Sequence, residues 1–116
     1  MNMHYKRSDR IAALIKEEVG QMLLVNMKDP DVGNITVTNV EMTDDLRYAK
    51  IYYSVLGDEE KVELAKKALV RSRGFVRSEI GKRIKIRFTP EISLVHDTTA
   101  AYADHIEQLL RKIREE

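Results

Sequence analysis

The sequence has no cysteine and no tryptophan, and it contains only two prolines. The absence of cysteine excludes disulfide bonds, thiolate zinc sites and a cysteine nucleophile. The apolar runs are short, and none approaches the roughly 20 residues that a membrane-spanning helix needs. No apolar run follows the basic residues near the N-terminus, so a signal peptide is not expected. We therefore expect a cytoplasmic protein without a membrane partner.

The length and composition predict one compact domain. At 116 residues, the chain is expected to form a single domain over residues 1–116, with residues 1–7 frayed. Hydrophobic residues make up 43% of the chain, which is enough for one core. Charged residues make up 34%, with 20 basic against 19 acidic side chains, and this balance argues against disorder.

Basic charge is concentrated in one segment, Lys66–Arg87, which we call the basic stretch. It holds nine basic residues and one acid, Glu79, so it carries +8. Because the whole chain carries +1, the remaining residues sum to −7. A local positive field in an otherwise acidic chain favours a polyanionic partner such as nucleic acid. The alternative is a solvated helix face, although acids that would pair with these bases one turn away are nearly absent.

The helical pattern within the basic stretch predicts a kink. Small and apolar residues recur at helical spacing from Val62 onward. At about 100° per residue, a straight helix would place Arg73 about 20° from Val62, on the buried side, where an unpaired charge is costly. Gly74 follows directly and weakens a helix. We therefore predict one helix over Glu59–Arg73 and a second, short helix over Phe75–Gly81.

A kink at Ser72-Arg73-Gly74 would suit an anionic ligand. Small residues let a phosphate approach main-chain N–H groups, and the second helix would direct its positive N-terminal end towards that phosphate. The alternative is an αα-hairpin with an ordinary glycine turn that binds nothing. The candidate RNA-binding residues are the basic side chains of the stretch and two small residues of the kink: Lys66, Lys67, Arg71, Ser72, Arg73, Gly74, Arg77, Lys82, Arg83, Lys85 and Arg87.

The segments before the basic stretch predict one helix and a β-hairpin. An amphipathic pattern indicates a helix over about Asp9–Val25, with Ser8 as its N-cap. β-branched residues indicate a strand over Ile35–Val40 with a bulge near Asn39, and strict alternation indicates a second strand over Arg47–Val55. The short turn between the two strands predicts that they pair as a hairpin.

The segments after the basic stretch complete the predicted fold. Alternation over Ile84–Phe88 points its apolar residues inward, and Ile92 and Leu94 continue this third strand. Apolar residues between Tyr102 and Ile113 predict a last amphipathic helix. The predicted fold class is α+β, with helices on one face of an antiparallel three-stranded sheet, in the order α-β-β-α-kink-α-β-α.

The sequence offers little for catalysis. The histidines His4, His96 and His105 have no partners at metal-ligand spacing. The run His96-Asp97-Thr98 looks like a base, an acid and a nucleophile, but a strand end followed by a helix cap explains it. The pair Asp44-Asp45 could hold a cation weakly, although two acids in a turn are more often only a turn. We expect no enzyme activity, no metal and no cofactor.

Two tyrosines on the hairpin invite a second interpretation. Tyr48 and Tyr52 share the outer face of the second strand, where they could stack on nucleobases. The simpler alternative is that tyrosine is a common strand residue, and we favour it.

Several segments together carry a family resemblance over about residues 6–113. They are Arg7-Ser8-Asp9-Arg10-Ile11, Lys28-Asp29-Pro30, Ile35-Thr36-Val37-Thr38, the stretch 44–54, Gly74-Phe75-Val76-Arg77, Ile80-Gly81-Lys82, Pro90-Glu91-Ile92 and His96-Asp97. The order of elements resembles a K-homology (KH) domain of the second topological type, but Ser72-Arg73-Gly74 replaces that family's GxxG loop. This replacement is similar to the ribosome-binding factor A family, whose helix pair usually carries Ala-x-Gly.

The resemblance implies a specific function. It implies a monomeric, non-enzymatic ribosome assembly factor that binds the immature 30S subunit and its 16S rRNA. It also implies a role in late maturation, including 16S rRNA 5′-end processing, and in growth in the cold. Charge reversal at Arg73 and Arg77 is then expected to abolish binding and to leave the fold intact. The alternative is a protein-interaction module, in which the sheet edge or last helix docks a ribosomal protein and the basic stretch only steers the approach.

Overall fold

The computed structural model describes residues 6–26, 29–98 and 110–114. The chain forms two long helices and a three-stranded sheet. The elements, in chain order, are helix α1 (Arg7–Gln21), a π-helical turn (Met22–Asn26), a 3-10 turn (Pro30–Val32), strands β1 (Ile35–Met42) and β2 (Tyr48–Val55), helix α2 (Glu59–Arg83) and strand β3 (Glu91–His96). The α+β class with a three-stranded sheet is confirmed.

The sheet has the strand order β1-β2-β3 and mixed direction. Strands β1 and β2 pair antiparallel, and their register shifts between Val37 and Asn39, so the predicted hairpin and bulge are both confirmed. Strand β3 instead runs parallel to β2, which makes the prediction of an antiparallel sheet wrong. The reason is that α2 is a crossover connection, and a crossover returns the chain to the end of the sheet from which β2 started.

The core lies between one face of this sheet and both helices. The inward residues of β2 are buried, and they are Ala49, Ile51 and Tyr53. Ile15 of α1 is fully buried in the same cluster. From α2, the core receives Ala65, Ala68, Leu69, Val76 and Ile80.

Helix α1 begins at Arg7, two residues earlier than the sequence suggests. Its N-cap is Lys6, whose backbone N–H donates to Asp9 Oδ2 at 3.1 Å. Ser8, the predicted N-cap, is buried inside the first turn, where its hydroxyl donates to Asp44 Oδ1 at 3.4 Å. The N-cap prediction is therefore wrong, because the Ser8 hydroxyl is engaged by the β1–β2 turn.

Helix α2 is continuous over 25 residues, so the predicted kink between two helices is wrong. The buried stripe is centred on Ala65 and Val76, whereas Val62 is only half-buried. At about 100° per residue, Arg73 lies about 80° from Ala65, at the edge of the stripe, and its side chain is exposed. No charge has to be buried, and a single glycine costs a helix only about 1 kcal/mol.

The segment between α2 and β3 is irregular, so the predicted strand over Ile84–Phe88 is wrong. Ile84 is buried and Ile86 packs against the core, as the alternation suggests. Phe88, however, is 70% exposed. The third strand begins only at Glu91, because β2 starts at Tyr48 and Tyr48 pairs with Glu91 in the parallel register.

The predicted last helix lies mostly outside the described residues, as do residues 1–5 of the segment expected to be frayed and Lys28 of the Lys28-Asp29-Pro30 motif. Residues 110–114 are helical. Over the described parts of the chain, no helix is both long and apolar enough to cross a membrane.

Candidate nucleic-acid interface

The basic stretch forms the C-terminal part of α2 and the irregular segment after it. Lys67 and Gly74 lie about 200° and 180° from Ala65 around the helix, and both face solvent. The structure therefore presents basic charge outward along the helix. Within the described residues, it also divides the eleven predicted residues into cations with an ion pair, cations without one, and small residues.

Arg77 is the most firmly held of the predicted cations. Its Nε donates to the carbonyl oxygen of Pro90 at 3.0 Å, and its Nη2 donates to that of Thr89 at 3.1 Å. Nη2 also lies 3.6 Å from Glu91 Oε2. Arg77 therefore attaches α2 to the start of β3, and this structural role weakens the expectation that its charge reversal leaves the fold intact.

Arg71 joins α2 to the loop after α1. Its Nη2 donates to Asp29 Oδ2 at 2.7 Å and lies 3.6 Å from Asp31 Oδ2. The side-chain hydrogen bond from Arg71 and the backbone N–H of Asp31 hold the pKa of Asp29 below its ordinary value of 3.8. The same hydrogen bond raises the pKa of the Arg71 guanidinium.

Other predicted cations contact acids on α1, α2 or β3. Arg83 is partly buried, and it pairs with Glu79 Oε1 at 3.2 Å and with Glu18 Oε1 on α1 at 3.3 Å. Three exposed side chains make longer contacts of 3.6 to 4.0 Å: Lys82 with Glu79, Lys66 with Glu63, and Arg73 with Glu91. Exposed pairs of this kind stabilise a fold little, so these three cations remain accessible to an anion.

Three predicted cations have no ion pair within the part of the chain that the structure describes. They are Lys67, Lys85 and Arg87, and all three are exposed. The guanidinium carbon of Arg87 lies 5.6 Å from the centroid of the Phe88 ring. Lys85 lines a cavity with Arg7 and Arg10 at the start of α1.

Sequence reasoning missed this extension of the basic surface onto α1. Neither Arg10 nor Arg7 is among the predicted site residues, and Arg7 belongs to the segment that the sequence predicts to be frayed. No local pattern links these two residues to Lys85, since only the fold brings together positions that lie 78 and 75 residues apart along the chain. The helical pattern of α1 could have predicted that Arg7 and Arg10 are exposed, but not that they lie near Lys85.

The small residues do not form the predicted phosphate site. Ser72 and Gly74 lie within the uninterrupted helix α2. Within a helix, backbone N–H groups are already bonded to carbonyls one turn earlier, and no helix N-terminus exists at this point. The expected contact between a phosphate and main-chain N–H groups at a kink is therefore wrong, and Gly74 contributes an open surface instead.

A groove runs between α2 and the edge of β3 that pairs with no other described strand. Its volume is about 840 Å³. Lys66 and Arg73 lie on its α2 side beside the apolar Leu69, and the whole of β3 forms the other side. A chain of anionic groups lying in this groove would meet basic side chains from α2 and an apolar floor.

The residues once considered for catalysis have structural roles. Asp97 accepts a hydrogen bond from Thr38 Oγ1 at 2.8 Å, and the His96 ring packs 5.5 Å from that of Tyr53. Asp45 accepts hydrogen bonds within its own turn from Thr43, which with the Arg47 N–H lowers its pKa. Among the described residues, no group of three or more histidine and acidic side chains is placed to hold a metal.

Comparison with known proteins assigns the chain to a family. Residues 7–110 match the family described as Ribosome-binding factor A. The chain belongs to the ribosome-binding factor A family.

Curated relatives support the family assignment over nearly the full length of the chain. A ribosome-binding factor A from Desulfitobacterium hafniense strain DCB-2 is 48% identical over 110 residues, covering 95% of this chain and 88% of that protein. Another from Syntrophobacter fumaroxidans is 42% identical over 113 residues, covering 96% and 97%.

Solved structures of the family share the fold. The crystal structure of ribosome-binding factor A from Thermus thermophilus aligns with a TM-score of 0.66 at 20% identity, covering 77% of this chain and 94% of that one. A solution structure of a putative ribosome binding factor A from Thermotoga maritima gives 0.60 at 29% identity, covering 77% and 90%. These structures have a KH-like fold, which confirms the fold expected from the resemblance.

Proposed function

We propose that this protein is a ribosome assembly factor that binds the immature 30S subunit through its 16S rRNA. In this proposal, residues 1–116 act as one monomeric RNA-binding domain in the cytoplasm, without catalytic activity of their own. A homology model of the Thermus thermophilus family member has been fitted into a cryo-EM map of a 30S complex. Membership of the same family supports the same target for this chain.

The observation that carries the proposal is the distribution of unpaired basic charge. Lys67, Lys85 and Arg87 extend outward from α2 and the following segment, and Arg7 and Arg10 continue this surface onto α1. Such side chains can neutralise phosphates at no structural cost, because no ion pair between described residues has to break first. Contacts of this kind position a protein on RNA and carry little sequence information.

The paired cations of the predicted site have graded roles. Lys66, Arg73 and Lys82 are exposed, and we assign them phosphate contacts in which RNA competes with Glu63, Glu91 and Glu79. Arg71, Arg77 and Arg83 hold α2 against its neighbours, so we assign them mainly to positioning the interface. Ser72 and Gly74 then leave room for the RNA to approach the helix.

We extend the proposal to late 30S maturation, including 16S rRNA 5′-end processing, and to growth in the cold. The support is the family resemblance. Misfolded RNA rearranges slowly at low temperature, so a protein that holds one RNA conformation would matter most there.

The test is co-sedimentation of the purified protein with salt-washed 30S subunits, 50S subunits and naked 16S rRNA. The variant carries Lys67→Glu and Lys85→Glu, which reverse two unpaired cations. The matched control carries Lys16→Glu and Lys61→Glu, two exposed lysines outside the basic stretch, so both variants change the net charge by the same amount. We expect the unmodified protein and the control to sediment with 30S subunits and the first variant to remain in the supernatant.

Two outcomes would contradict the proposal. Equal loss in both variants would mean that only net charge matters. Retained binding of the Lys67 and Lys85 variant would place the interface elsewhere.

A second candidate function is docking of a ribosomal protein at the edge of β3. Strand β3 pairs with β2 on one side, and its other edge borders the groove beside α2. An open strand edge can accept a further strand from another protein. Binding that survives removal of the RNA from the target would favour this candidate over an RNA interface.

A further inference from the structure

Two exposed aromatic side chains line one small cavity at the start of β2 and β3. The cavity has a volume of about 350 Å³, and its lining consists of Arg47, Tyr48, Phe88, Thr89 and Glu91. This volume lies at the lower end of the range typical of small-molecule pockets, about 300 to 1,000 Å³. Tyr48 and Glu91 also line the groove beside α2, so the cavity adjoins that groove, and Phe88 is the ring that only the cavity contains.

Tyr48 and Phe88 are the two most exposed aromatic side chains among the described residues. Tyr48 is 58% exposed and Phe88 is 70% exposed. Tyr52, the other tyrosine considered for stacking, is less exposed, and its hydroxyl donates to Glu41 Oε1 at 3.0 Å. Single exposed apolar residues are normal on a protein surface, but two aromatic rings on one concave site form a platform for a flat ligand.

The walls of the cavity are held in place by the fold. The backbone N–H of Glu91 donates to the carbonyl oxygen of Arg47 at 2.8 Å, and Tyr48 is the register partner of Glu91. Arg77 holds the carbonyls of Thr89 and Pro90 from the other side. The segment that carries Phe88 is therefore anchored immediately after this ring, so the site needs little reorganisation to bind.

The charged groups around the rings fit a nucleotide. Arg47 lines the cavity, where it could pair with the phosphate next to a stacked base, and the Arg87 guanidinium lies over the Phe88 ring, 5.6 Å from its centroid. Glu91 offers carboxylate oxygens at the wall, and Arg73 and Arg77 lie 4.0 and 3.6 Å from them. A carboxylate can accept a hydrogen bond from the exocyclic amino group of adenine, cytosine or guanine, and uracil has no such group.

We propose that Tyr48 and Phe88 form a binding site for one unpaired nucleobase of single-stranded RNA, with a preference for bases that carry an exocyclic amino group. This inference rests on the proposed function, because the nucleobase belongs to the 16S rRNA that the protein is proposed to bind. Phosphate contacts do not distinguish one base from another, whereas this site would recognise an unstacked base. An RNA ligand is favoured over an apolar peptide because two arginines flank the rings and the basic surface of α2 lies alongside.

The absence of tryptophan makes a direct test possible. A Phe88→Trp variant of the full chain would carry its single indole, placed in the cavity. We would titrate this variant with AMP, CMP, GMP, UMP and ribose 5-phosphate and follow the indole fluorescence. Stacking of a base is expected to quench the emission with AMP, CMP and GMP, less so with UMP, and not with ribose 5-phosphate. A Glu91→Gln change in the same background should reduce the difference between CMP and UMP.

A second measurement uses RNA itself. Phe88→Ala should weaken binding to a single-stranded RNA octamer roughly tenfold, as expected for one lost stacking contact. It should leave binding to an octamer of abasic ribose phosphates unchanged. Leu56→Ala is the control, since Leu56 is exposed and lies outside the cavity. Unchanged thermal unfolding temperatures in both variants would show that Phe88→Ala has not altered the fold.

The outcomes separate this inference from the proposed function. If the protein sediments with 30S subunits but no nucleotide quenches the indole, the nucleobase site is wrong and the proposed function stands. If nucleotides quench and 30S binding is absent, the site stands and the proposed function fails. Equal quenching by ribose 5-phosphate would reduce the cavity to an anion site and overturn the inference. Loss of binding to an RNA-free ribosomal protein in Phe88→Ala, without quenching by nucleotides, would overturn it in favour of a protein contact.

Discussion

The Nε of Arg77 donates a hydrogen bond to the carbonyl oxygen of Pro90 at 3.0 Å, joining the middle of α2 to the entrance of β3. A residue that the sequence assigns to RNA is thus also a structural bridge. The bridge orders the segment that carries Phe88 and sets Glu91 beside Arg73. Arg77 therefore belongs both to the proposed RNA surface and to the contacts that hold the fold, and a mutation at Arg77 would affect both.

Replacing Arg77 by alanine should destabilise the protein measurably. The change removes two charge-assisted hydrogen bonds to backbone carbonyls and leaves those carbonyls without this donor, so we expect the free energy of unfolding to fall by about 1–3 kcal/mol. Urea unfolding followed by circular dichroism would measure this. Arg73→Ala is the matched control, because its exposed contact with Glu91 at 4.0 Å should contribute less than about 0.5 kcal/mol. Equal effects of the two changes would argue against the bridge.

The two glycines of α2 should respond in opposite ways to alanine. A Cβ at Gly74 meets nothing within 4 Å, so Gly74→Ala should stabilise the helix by up to about 1 kcal/mol. A Cβ at Gly81 would lie 2.6 Å from Thr89 Oγ1, so Gly81→Ala should be the less stable variant of the two.

Thermal unfolding of both glycine variants would test this order, and Thr89→Ala added to Gly81→Ala should recover stability. If Gly74→Ala were instead strongly destabilising, a helix break at that position would have to be reconsidered.

The contact between Arg71 and Asp29 should be visible in a carboxyl titration. Because Arg71 lowers the pKa of Asp29 from its ordinary 3.8, Arg71→Ala should raise the Asp29 pKa back towards that value in a carbon-detected NMR titration. Asp45 is the internal control, since Thr43 and the Arg47 N–H lower its pKa, and it should not move.

The same contact also sets a pH dependence of stability. The folded-state pKa of Asp29 is depressed, so its stabilising effect is present above pH 3.8 and is lost as the pH falls through the lower folded-state pKa. The difference in stability between the unmodified protein and Arg71→Ala should therefore shrink in acid. A difference that grows as the pH falls would contradict this sign.

Neutral substitutions should show how many phosphate contacts Lys67 and Lys85 make, through the salt dependence of RNA binding. Replacing Lys67 and Lys85 by glutamine removes two unpaired cations, so the slope of log K against log salt should decrease by about 1.4 for single-stranded RNA, at roughly 0.7 per contact. Fluorescence anisotropy with a labelled octamer at several salt concentrations gives this slope. Glutamine at Lys16 and Lys61 should leave the slope unchanged, and an unchanged slope in the Lys67 and Lys85 variant would remove these lysines from the interface.

Local sequence patterns were sufficient to predict much of the fold. The bulge near Asn39 shows in the sequence because apolar residues change phase there, and a phase change in a strand needs an extra residue. The inward face of β2 likewise follows from alternation alone. The prediction of a kink in α2 is wrong because the sequence misplaces the buried stripe. The sequence pattern places the buried stripe at Val62, but only the packed helix shows that its centre passes through Ala65 and Val76.

The sequence by itself determined that this chain carries a concentrated positive charge and a family identity, because charge adds along a segment and motifs are local. Only the tertiary structure decided which of these cations are accessible to an anionic ligand and which are held by other groups of the protein. Arg71 and Arg77 are held by Asp29 and by the Thr89 and Pro90 carbonyls, while Lys85 lies beside Arg10. Ion pairs and hydrogen bonds act over a few ångströms, and that distance is set by how α2, β3 and α1 pack.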